Sequence, residues 1–129
     1  MKLSHIIAAG ALVVSAFMAV QDAAAASPYD GAYACTVYVP ALQTSASGYA
    51  VFLAHADGTA AISVLAPVPM NVYGFGFGTL SGSTFSGTSG NSGTPFTVNF
   101  TSSGMSSSNF QWQTAVGLFP ATTNCIKIF

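Results

Sequence analysis

From Ala32 to its C-terminus the chain consists of short runs of alternating side chains, interrupted at regular intervals by Gly, Pro, Asn or Asp. A period of two is the signature of a strand, because successive side chains leave opposite faces. No segment carries the 3.6-residue apolar stripe that a helix needs to face a core. Ala32–Val39 places Tyr33, Cys35, Val37 and Val39 on one face, and Pro40 ends the run. Gly48–His55 follows, with Tyr49, Val51, Leu53 and His55 on one side and Ala50, Phe52 and Ala54 on the other. Ala56-Asp57-Gly58 predicts a hairpin turn, since Asp-Gly readily takes the left-handed backbone that tight turns require. Thr59–Leu65 returns, and the prolines of Ala66-Pro67-Val68-Pro69 predict a loop because neither can donate to a ladder.

Val72–Leu80 alternates in a different way: Tyr73, Phe75 and Phe77 interleave with Gly74, Gly76 and Gly78. Glycine weakens a strand interior unless something approaches the backbone closely. The expectation is that the three rings form the buried face and that the glycines form a close-approach surface. Thr84–Ser89 returns after Ser81-Gly82-Ser83, and Gly90–Gly93 is a loop. Thr94–Thr101 points Phe96, Val98 and Phe100 inward and Thr97, Asn99 and Thr101 outward. A Ser-rich strand then ends in Phe110-Gln111-Trp112-Gln113. Gly117 and Pro120 predict a break before a last strand over Asn124–Phe129.

These segments predict an all-β single domain: an antiparallel meander of seven or eight hairpin-connected strands. Curling such a meander into an up-and-down barrel removes its free edges, and a Greek-key β-sandwich is the alternative. Cys35 and Cys125 sit in the first and last strand regions, 90 positions apart. One bridge between them would hold the barrel closed, and in the chain-entropy model a loop of that length contributes on the order of 4–5 kcal/mol.

The first residues read as an export signal. Lys2 precedes an apolar run from Ile6 to Val20, and Ala24-Ala25-Ala26 supplies a small-residue cleavage pattern. Residues 1–26 are therefore expected to be a signal peptide and residues 27–129 a single secreted β domain with no membrane span. The apolar run is short for an anchor, which needs about 18 residues or more, and Gln21 and Asp22 close it. Secretion, or a periplasmic or cell-surface location, also suits a disulfide.

Beyond that signal the acid, base and histidine side chains number only four: Asp30, His55, Asp57 and Lys127. Acid–base or nucleophilic catalysis needs several such groups within hydrogen-bond reach of one another, so no enzyme activity, cofactor or metal site is expected. His55 and Asp57 are explained by the hairpin turn they flank. With no basic patch, nucleic-acid binding is not expected. Gly74-Phe75-Gly76-Phe77-Gly78 lacks the lysine and following helix of a phosphate loop. Weak charge repulsion favours self-association. The functional expectation is a non-enzymatic structural or surface-interaction protein, self-assembly included. The alternative is a barrel that binds a small apolar ligand through Tyr73, Phe75, Phe77 and Trp112, aromatic rings being apt linings for such a pocket.

Overall fold

The computed structural model describes residues 27–68 and 72–129; the expected signal peptide lies outside the described residues. Eight strands follow one another: β1 (Gly31–Val39), β2 (Thr44–Ala54), β3 (Thr59–Val68), β4 (Val72–Ser81), β5 (Thr84–Ser89), β6 (Pro95–Phe100), β7 (Gly104–Thr114) and β8 (Gly117–Lys127). Each pairs antiparallel with the next, and β8 returns to β1, so the sheet closes into an up-and-down barrel. The sandwich alternative is thereby set aside. β5 and β6 are short, which lets β4 meet β7 directly at Tyr73 and Gln113.

The seam runs from Tyr33 opposite Lys127 to Tyr38 opposite Thr122. Cys35 and Cys125 face each other within it and are joined by a disulfide. The β2–β3 turn follows the Asp-Gly logic. Gly58 has φ +90°, and Asp57 Oδ1 accepts from the Thr59 N–H at 2.9 Å and from its hydroxyl at 2.6 Å. These bonds hold the Asp57 carboxyl below the usual carboxylate range.

Two expected breaks are continuous strand. β3 runs to Val68, past the position predicted for a loop, and Ser47 pairs with Val68 after a register shift beside Gly48. A Cβ at Gly48 would collide with the Leu65 carbonyl and Ala66 Cα, so only glycine fits where the two strands are pressed together at this irregularity. β8 likewise passes through Pro120. The Ile128 N–H donates to the Ala32 carbonyl, so the even-numbered N–H groups of β8 face β1. Pairing with β1 stops at Thr122, and Pro120 therefore forgoes no ladder bond.

The interior is filled with side chains. Tyr33, Val37, Phe52, Phe85, Phe96, Phe110 and Trp112 are all buried. A chain of ring contacts threads the barrel from Tyr29 through Phe100, Phe52, Phe85, Phe96 and Phe110 to Trp112, with successive centroids 4.5–5.5 Å apart. An eight-stranded barrel has an interior that side chains can fill or that can hold one small ligand, and here aromatic rings occupy it.

The orientation of β4 reverses the expectation. Its glycines face the interior, while Tyr73 and Phe77 are exposed outside and Phe75 is half-buried. The reason is volume. The Phe110 ring lies over Gly74 and the Phe96 ring over Gly76, each occupying the space that a Cβ would need. The glycines are the closely approached surface that was expected. The rings opposite them do not form the buried face.

Candidate interaction surface

The four expected ligand-binding rings do not converge. Trp112 lies inside the barrel, fully buried, and its indole N–H donates to Thr123 Oγ1 at 3.1 Å. Tyr73, Phe75 and Phe77 are on the outer wall. The apolar space beside Ile62, Val64, Val98 and Phe110 amounts to about 10 Å³, roughly the room needed for one water.

The charged groups gather at one rim. Asp30 Oδ1 accepts from the Ala54 N–H at 2.9 Å, and Lys127 Nζ donates to the Pro28 carbonyl at 2.6 Å. Burial raises the pKa of Asp30, an effect only partly offset by the Ala54 bond and by nearby Lys127 and His55. Tyr33 donates to the Tyr29 carbonyl, and burial together with the Asp30 carboxylate pushes its phenol up to about 12. These contacts tie Ser27–Asp30 across the end of the barrel, where Tyr29 stacks on Phe100. Their partners are backbone groups. Among the described residues no three His, Cys, Asp or Glu side chains group as metal ligands.

The exterior has two characters. Across β5, β6 and β7 it presents Ser86, Thr88, Thr97, Asn99, Ser106 and Gln111, with Gln113 beyond. Across β2, β3 and β4 it is apolar. Register places Tyr49 beside Leu65 and Leu65 beside Tyr73, then Val51–Ser63–Phe75, then Leu53–Ala61–Phe77. Six of these are large and substantially exposed: Tyr49 64%, Val51 47%, Leu53 50%, Leu65 48%, Tyr73 43% and Phe77 62%. No charged side chain stands among them. Because β3 carries Ala61 and Ser63 between taller neighbours, the face is a shallow groove walled by β2 and β4 and stopped at Leu65. Ile126, 69% exposed, extends the apolar surface across the seam by way of Ala34.

Sequence reading missed this surface because β2 is apolar on both sides. Tyr49, Val51 and Leu53 alternate with Ala50, Phe52 and Ala54, and alternation alone does not say which set is inside. The available signal was the unbroken apolar run itself, which leaves one set outside in any one-layer sheet.

No protein-family model matches the chain, and no curated protein matches it. Among solved structures, a redesigned β barrel matches with a TM-score of 0.54 at 16% identity, covering 81% of this chain and 96% of its own. A second redesigned β barrel, mFAP1 bound to DFHBI, matches with a TM-score of 0.54 at 15% identity over 81% of this chain and 98% of its own. At such identities the likeness is one of fold: this chain is similar to compact, closed β barrels.

Proposed function

We propose that this protein is a non-enzymatic interaction barrel of the secreted, periplasmic or cell-surface space, and that it works through the outer face of β2–β4. The observation that carries this reading is the set of six exposed large apolar side chains on three neighbouring strands. The largest apolar patch on an ordinary monomer is about 300–600 Å² and is often functional. The chain also contains the polar alternative on β5–β7, so the apolar half is not a consequence of composition alone. The disulfide is compatible with an oxidising compartment. Asp30, Asp57 and Lys127 are engaged in holding the turn and the rim, which supports a role without acid–base chemistry.

The test is 1-anilinonaphthalene-8-sulfonate fluorescence, which reports exposed apolar surface, on the wild type and on Leu53→Ser/Phe77→Ser. Both side chains point outward, so the fold should survive, as checked by circular dichroism. Dye binding should fall in the variant; equal binding by a folded variant would refute the reading. The alternative, a small apolar ligand, draws support from the neighbour whose structure holds DFHBI. In this chain the packed rings would have to move to admit such a molecule, so the outer concavity of about 490 Å³ beside Ala34, Gly48, Tyr49 and Ile126 is the better place for it.

A further inference from the structure

We infer that the β2–β4 face is covered by a second copy of this chain, the two barrels related by a two-fold axis through the patch. The inference rests on the interaction-face reading above and names its occupant.

Three observations select a second copy. The first is charge. The face has no ionised side chain, so a charged partner would find nothing to pair with. Among the described residues the charged side chains lie at one rim, with Asp30 tied to Ala54, Lys127 to Pro28 and Asp57 to Thr59 in the turn at the end of the face. A second copy can therefore cover the strands of this face without burying an ionised side chain. With net charge −1, long-range repulsion between copies is weak.

The second is shape. A two-fold interface presents the same surface twice and must be self-complementary. Here a ridge and a groove lie side by side on neighbouring strands. The ridges carry Tyr49, Val51 and Leu53 on β2 and Tyr73 and Phe77 on β4, and the groove between them is floored by Ala61 and Ser63 on β3. Offsetting one copy by about one strand spacing, roughly 4.8 Å, seats a ridge of each in the groove of the other.

The third is area. The exposed fractions of three rings and three aliphatic side chains correspond to on the order of 500 Å² per copy, taking about 200 Å² for a fully accessible ring. Two such faces bury about 1,000 Å² in total, the lower bound for a specific interface. The dimer is accordingly weak and concentration-dependent. Edge-to-edge pairing is a poorer route, because barrel closure removes free edges among the described strands.

The experiment is sedimentation velocity on the purified exported protein from about 1 µM to several hundred µM. The expected result is a shift from monomer mass towards twice that mass as concentration rises, with dye binding per chain falling in parallel as the face is covered. Ser63→Arg, pointing outward from the groove floor, should hold the protein at monomer mass throughout without lowering its melting temperature at 1 µM. Leu53→Ser/Phe77→Ser should move the midpoint at least tenfold higher, and Asn99→Ser on the polar side should leave it in place. Monomer mass at every concentration would overturn the dimer. If dye binding is then still lost in Leu53→Ser/Phe77→Ser, the interaction face stands and belongs to a foreign partner or small molecule. If dye binding is also unchanged, both readings fall. A dimer that persists in Ser63→Arg would overturn this interface.

Discussion

Gly76 offers the most direct test of how the barrel is packed. Its backbone needs no glycine-only φ, so alanine or valine is sterically excluded by neighbours alone. A Cβ there would lie well under 3.0 Å from Cε1 and Cζ of Phe96, and 3.1 Å from the Thr88 carbonyl oxygen. Phe96 is 2% exposed and is held by Phe85 and Phe110 at centroid distances of 5.5 and 4.5 Å. Its ring cannot swing away without disturbing both. Overpacking of this kind costs about 1–3 kcal/mol, whereas replacing a strand glycine gains only about 0.5–1 kcal/mol from the unfolded chain. The net loss should be about 1 kcal/mol for Gly76→Ala and about 2 kcal/mol for the bulkier Gly76→Val. Urea unfolding at several protein concentrations measures it. The midpoint should fall with m unchanged, and the drop relative to wild type should be the same at every concentration, because the contact is inside one barrel. Trimming the ring in Phe96→Leu should recover part of the loss in the double variant, a coupling of about 0.5–3 kcal/mol. A midpoint that is unchanged or raised in Gly76→Val would refute the packing. A loss that varies with concentration would relocate the contact to a subunit interface.

Three further outcomes follow from the same structure. Reducing the Cys35–Cys125 bridge, or replacing both residues with Ala, opens the seam between β1 and β8 and should lower unfolding free energy by about 4 kcal/mol; peptide mapping that finds two free thiols in exported protein would contradict the bridge. Thr123→Val strands the buried Trp112 indole N–H without its acceptor and should cost about 1–3 kcal/mol by denaturant unfolding, with no loss contradicting that bond. The raised pKa of Asp30 means that the folded state holds this proton more tightly than the unfolded state does. Its contribution is present below the ordinary Asp value and is lost as pH rises through the raised one, while Asp57, shifted downward, acts with the opposite sign at more acidic pH. Melting temperature followed upward from about pH 4, near the reference Asp pKa, should show that loss in the wild type and not in Asp30→Asn; identical profiles would contradict it.

Hairpins at Ala56–Gly58 and Ser81–Ser83 and the alternation of β6 were legible because both are local. Turn residues act through their own φ, and Thr97, Asn99 and Thr101 against Phe96, Val98 and Phe100 differ enough in polarity to announce inside and outside. Pro120 misled for the converse reason. A missing N–H breaks a strand only if a partner was waiting for it, and the partner is set by where a neighbouring strand ends. The interaction surface was legible in part: its residues stand in the sequence as apolar runs, but nothing local joins Tyr49 to Leu65 and Tyr73.

By itself the sequence determined the all-β class, the short turns that join its antiparallel strands and the one available cysteine pairing, while the structure chose the closed barrel over the Greek-key sandwich. Each of the three features determined by sequence follows from side-chain period, turn chemistry or count. Tertiary structure alone decided which face of β2 and β4 is the inside. On β2 both faces are apolar, and on β4 one has rings while the other has no side chains at all, so hydrophobicity would bury the rings. The closed barrel has one interior of limited volume, and Phe96 and Phe110 from β6 and β7 already fill the part in front of β4. Only glycine fits beneath them, so Tyr73 and Phe77 are turned outward, where with Tyr49, Leu53 and Leu65 they make the surface on which this protein's function is proposed to rest.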